Sequence, residues 1–199
     1  MNKLKHWFAS DSSLFVLVVI FLIIFIALGI IVGENMYTSQ RLMLMGFQIP
    51  EFGLIALGMT FSFLLGGVDL SLVANANLSG ILAAYILAGL SASGFASGPV
   101  ILLAVLAALL SAILLGLLNG VLVAKFSVPP MIATLSTMTF YTGIAMALTG
   151  GDSITGFPTA FTMFSTSTFL GIPSIFLLFL LITVVLGCFL SRTGVGRRI

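Results

Sequence analysis

The chain of 199 residues is 60% hydrophobic and only 6% charged, with a formal net charge of +2. An ordinary soluble domain carries about 25% charged residues, so a water-soluble fold, which must solvate most of its periphery, is excluded and lipid covers most of the surface. The few basic residues are too scattered for a nucleic-acid surface, and the single cysteine, Cys188, has no second thiol with which to form a disulfide or a Cys-based metal site.

The amino terminus opens with Lys3 and Lys5 before an apolar run. That run is too long and lacks the small-residue cleavage pattern of a signal peptide. Leu14 to Val32 holds no charge and spans about 28 Å as a helix, close to the hydrocarbon thickness of a bilayer. It reads as a retained first helix, at about 14–33. Five further apolar stretches predict helices at about 49–66, 71–90, 99–124, 130–149 and 173–190, because backbone polar groups in lipid must be paired within helices. The separators Glu34 to Arg41, Ser91 to Gly98 and Gly150 to Ile172 read as surface loops. The expectation is an all-α integral membrane protein with about six transmembrane helices in a single transmembrane domain, 1–199. Basic residues in short loops favour the cytoplasm. A cytoplasmic amino terminus puts Lys3, Lys5, Lys125, Arg192, Arg197 and Arg198 inside and only Arg41 outside, which fixes the expected orientation.

Polar and small residues carry the remaining information. Pro50, Glu51 and Gly53 open the second predicted helix, which would be short before Gly66 and Gly67 break it, and a short, Gly-interrupted span points toward a transport path. Glu51 is either a first-turn acid beside an N1 proline, favoured by the helix dipole, or an intramembrane carboxylate facing the path. In GGVDLSL, 66–72, the glycines permit positive φ, while Asp69 and Ser71 suit the capping of the third helix. Asn75, Asn77, Thr134, Ser136, Thr137, Thr139 and Tyr141 place neutral donors and acceptors within helices, which suits an uncharged hydroxylated solute. The same Ser and Thr side chains can instead bond back to their own helix or across to a neighbour. Thr60 joins Glu51, Asn75, Asn77, Thr134, Thr137 and Tyr141 as a candidate on the solute path. The fourth helix carries Ala104, Ala108, Ala112, Gly116, Gly120 and Ala124 at four-residue spacing. Such a stripe predicts close approach of a neighbouring helix.

Three segments then speak together: ALGMTFSFLLGGVDLS at 56–71, GLLNGVLVAKFSVPPMIATLSTMTFYTGIAMALTGG at 116–151, and SRTGVGRRI at 191–199. Over roughly 49–199 they resemble the permease subunits of bacterial simple-sugar, ribose-type ATP-binding-cassette (ABC) importers. The resemblance implies the first part of a type II importer permease, whose members continue for further helices, so that the chain looks truncated after the sixth. It implies a bacterial inner-membrane location and import by alternating access. The implied partners are cytoplasmic ABC ATPase subunits, a periplasmic or lipid-anchored solute-binding protein and a second permease subunit. Gly66, Gly67, Asp69, Ser71, Asn119, Pro129 and Pro130 are structural positions of these motifs. Arg192, Gly194, Gly196, Arg197 and Arg198 inherit a role in coupling to the ATPase. Two positions depart from the pattern, Val73 standing where Gly is usual and Thr142 where Arg is frequent.

An intramembrane enzyme would need paired acids, a nucleophile with its base, or metal ligands. The chain offers none, and its one histidine, His6, precedes the first helix. No GxxxxGK[ST] phosphate loop is present. ATP hydrolysis is therefore expected on a separate subunit, with no cofactor bound by this chain. A nucleoside or other sugar-like solute, or an uncoupled channel or structural membrane subunit, are the alternatives to a sugar permease.

Overall fold

The computed structural model describes residues 12–33 and 37–193. Lys3, Lys5, His6, Gly194, Gly196, Arg197 and Arg198 lie outside them. Six of the described helices are long and apolar enough to cross a membrane: α1, Ser12–Val32; α2, Ser39–Leu64; α3, Leu72–Ala92; α4, Ser97–Ala124; α5, Pro130–Thr149; and α7, Ser174–Arg192. Between α5 and α7 lie a short helix, α6, Thr159–Thr166, and an antiparallel pair of two-residue strands, β1, Thr168–Phe169, and β2, Ile172–Pro173.

Contacts divide the chain into two compact units, 1–46 and 47–199, where a single one was expected. In the first, α1 has no stripe of small or polar residues to specify a neighbour, and none of its described side chains is buried. The Tyr37 hydroxyl donates to the Phe25 carbonyl at 2.9 Å, and the two rings lie 5.1 Å apart.

The start of α2 corrects the expected boundary. The helix begins at Ser39 rather than 49, so Arg41 is helical and Pro50 sits inside the helix instead of opening it. An interior proline removes one backbone bond and crowds the carbonyl four residues earlier. Here that residue is Gly46, and membrane helices tolerate such a break. The reading of Glu51 as a first-turn acid falls with this boundary. Gly150 to Ile172 is likewise not all loop, since α6 and the strand pair occupy part of it.

The core of the larger unit is built around α3. At one end Ala74 and Leu78 pack with Tyr141 and Ala145 of α5, joined by Leu115 of α4. At the other, Leu87 packs with Val100 and Ala104 of α4, covered by Phe157 and by Phe161 of α6. The small-residue stripe of α4 lies along this packing: Ala104 is 1% exposed, and a Cβ on Gly116 would stand 3.8 Å from the Asn75 Nδ2. The stripe opens at Gly120 and Ala124, which are exposed. Close backbone approach, not apolarity, selects the neighbour here, because lipid is as apolar as Leu. At Gly53 of α2 a side chain, not a backbone, comes close: a Cβ there would fall 2.6 Å from the Phe179 ring of α7.

Candidate functional site

Polar side chains of the larger unit gather around two cavities. The first, of about 350 Å³, lies where α2 ends, and is lined by residues that include Ser62, Gly66, Gly67, Asp69, Asn119 and Thr134. Gly66 has φ of +82°, a conformation that costs an ordinary residue about 1–2 kcal/mol. A Cβ on Gly67 would meet the Pro130 Cβ at 3.3 Å, so the turn lies directly against the start of α5. Pro130 occupies the first position of that helix behind Pro129, where its missing N–H costs nothing.

From this turn a chain of hydrogen bonds runs into α4. Asp69 Oδ1 accepts from the Ser71 backbone N–H at 2.9 Å and from the Ser71 hydroxyl at 2.7 Å. The Ser71 hydroxyl in turn accepts from Asn119 Nδ2 at 2.6 Å. Ser71 has one hydroxyl proton, which goes to Asp69, and this fixes the orientation of the Asn119 carboxamide. Asn119 is 4% exposed and its Oδ1 has no donor among the described residues. The Ser71 hydroxyl, expected to cap α3, instead donates to Asp69 and accepts from Asn119, and at the N-cap it makes no side-chain bond to the helix.

The second cavity, of about 240 Å³, lies between α3 and α5. It is lined by Ala74, Asn77, Ile81, Thr142, Ala145, Met146 and Thr149, none of them charged. Asn77 is exposed, and its carboxamide makes no hydrogen bond to any described residue. Its neighbour Asn75 differs, being 8% exposed, donating to the Ala112 carbonyl of α4 at 3.2 Å and accepting from the Ser79 hydroxyl. Residues two apart point to different sides of a helix, which separates their environments.

The remaining path candidates do not converge on one site. Glu51 and Thr60 are exposed on α2, and the Thr60 hydroxyl donates to the Ala56 carbonyl at 2.8 Å. Thr134 shares its proton between the Pro130 and Val68 carbonyls, and Thr137 donates to Ala133 at 3.1 Å. Tyr141 is fully buried, with its hydroxyl on the Leu115 carbonyl at 2.8 Å. The hydroxyls among them join helices or satisfy their own backbone. Of the coupling candidates, only Arg192 is described, exposed at the end of α7. Val73 is half exposed. Ser79, Met146 and Thr149 were not singled out from the sequence. The last two belong with Thr142 and Ala145 to one face of α5 at helical spacing, which was the signal available.

No solved structure matches the chain. Among curated proteins it is 46% identical over 153 residues to the ribose import permease protein RbsC of Bacillus subtilis, covering 76% of this chain and 45% of that protein. It is 33% identical over 153 residues to the autoinducer 2 import system permease protein LsrD of Salmonella typhimurium, covering 74% of this chain and 44% of that protein. With LsrC of Salmonella typhi, an autoinducer 2 import system permease protein, it shares 31% over 176 residues, covering 87% of this chain and 48% of that protein. The chain thus spans about half the length of these relatives. Residues 41–199 match the family described as branched-chain amino acid transport system / permease component, and the chain belongs to that permease family.

Proposed function

We propose that the chain forms part of the membrane permease of an ABC importer that carries a small uncharged hydroxylated solute, a simple sugar, into the bacterial cytoplasm. The observation that carries this reading is the cavity between α3 and α5, uncharged among the described residues, with the Asn77 carboxamide on its wall bonded to none of them. The similarity to a ribose permease supports the solute class. The autoinducer 2 permeases favour a second reading, a sugar-like signal in place of a nutrient sugar.

In this proposal the amino terminus is cytoplasmic, and Arg192 with the basic segment 194–198 meets a separate ATPase subunit. Capture of the solute on the far side falls to a solute-binding protein, and a second permease subunit completes the path. Few charges lie within the spans, which leaves little for a proton-coupled mechanism to use. The test is co-purification in lipid with the ATPase encoded beside the chain, followed by ATP turnover. Association and stimulated turnover that are lost on R197E with R198E support the reading. If no ATPase associates, an uncoupled channel or structural subunit replaces it.

A further inference from the structure

We infer that Asn77 selects the solute by taking two adjacent hydroxyl groups of one molecule, Oδ1 accepting from the first and Nδ2 donating to the second. This inference rests on the reading of the chain as a permease for uncharged hydroxylated solutes, and it assigns the residue that recognises them. A carboxamide carries two N–H donors and an acceptor oxygen, all of which seek partners. The Asn77 carboxamide is exposed on the cavity wall and bonds to no described residue, so its oxygen and its nitrogen are both open to a molecule in the cavity.

The lining restricts what that partner can be. The Thr142 hydroxyl gives its proton to the Met138 carbonyl at 2.8 Å. The Thr149 hydroxyl donates to Ala145 and accepts from the Gly151 N–H. Among the described residues, Asn77 Nδ2 is therefore the one uncommitted side-chain donor on the cavity wall, flanked by acceptors on Asn77 itself and on Thr142. Among the described residues no charged group lines the cavity. A zwitterionic amino acid would leave water there without a counter-charge for its carboxylate or ammonium, at a cost that hydrogen bonds to a carboxamide do not recover. A polyol loses less on leaving water. Its adjacent hydroxyls match the parallel donor and acceptor of the carboxamide, and Ala74, Ile81, Ala145 and Met146 offer an apolar surface to its C–H face.

The test uses the full chain in lipid nanodiscs, labelled with 15N at the side chains of its five asparagines, and titrated with D-ribose, 1,5-pentanediol or L-valine. The first has adjacent hydroxyls, the second has none, and the third is zwitterionic. The Asn77 side-chain signals are expected to shift saturably with D-ribose alone, while those of Asn75 and Asn119 stay in place. N77L should raise half-saturation, read from tritiated D-ribose binding, by at least about tenfold, the loss of roughly one to two hydrogen bonds. Unmoved Asn75 and Asn119 signals establish that the variant is folded. Asn77 signals that ignore D-ribose, or that respond equally to 1,5-pentanediol, overturn the assignment. If Asn77 is silent while the assembled importer still takes up D-ribose, the permease reading stands and this inference falls. A response to L-valine alone removes the sugar reading as well.

Discussion

The helices α3, α4 and α5 differ from α7 in how they hold their neighbours. The first three bury side chains against one another and exchange hydrogen bonds, Asn75 to Ala112, Asn119 to Ser71 and Tyr141 to Leu115. In α7 no residue is buried, and its Thr183 hydroxyl returns to its own Phe179 carbonyl. Both regions are apolar enough to cross a bilayer. What separates them is the placing of small and polar residues, because apolar surface alone gives a helix no reason to prefer protein over lipid.

That contrast can be broken or sharpened by reversible unfolding of the purified chain in bicelles. Y141A should have the largest effect, a loss of about 3–5 kcal/mol, since it empties a fully buried site between α3, α4 and α5. G66V should cost at least about 1–2 kcal/mol, because a β-branched residue is forced to φ of +82°. N75L should cost about 0.6–1.5 kcal/mol by removing the bond to Ala112. N77L, two positions away, removes a carboxamide with no partner among the described residues and should stay within about 0.5 kcal/mol. V184A on α7, where Val184 is 62% exposed, should also stay within about 0.5 kcal/mol. If V184A destabilises as much as N75L, the distinction between the two regions fails.

Much of the helical layout was legible because span length and apolarity are set by the bilayer. The start of α2 was not, since Pro50 reads from the sequence as a helix opener, whereas the helix runs from Ser39 with Pro50 buried inside it. Helix α6 was hidden for a different reason. Its sequence TAFTMFST has the polar look of a loop, and it is held by Phe161 against Leu87 and Val100, contacts distant in sequence. Asn75 and Asn77 were both visible as polar residues of α3. Which of them faces α4 was not, because α3 is apolar on several sides and the choice depends on where the stripe of α4 docks. The bond from Asn119 to Ser71 joins residues 48 apart and leaves no local pattern.

The hydroxyls of α5 have a consequence for how the protein enters the membrane. Thr134, Ser136, Thr137, Thr139, Thr142 and Thr149 all donate to carbonyls of α5 itself. A hydropathy sum counts them as polar, yet once the helix forms their protons are already placed, so α5 can leave the translocon for lipid before any neighbour is present. Helix α3 has no such independence. Asn75 requires a carbonyl that only α4 supplies, and the Ser71 hydroxyl at its start receives Asn119 of that same helix. During biosynthesis α3 is thus best released together with α4, as a pair whose polar groups are matched before lipid surrounds them.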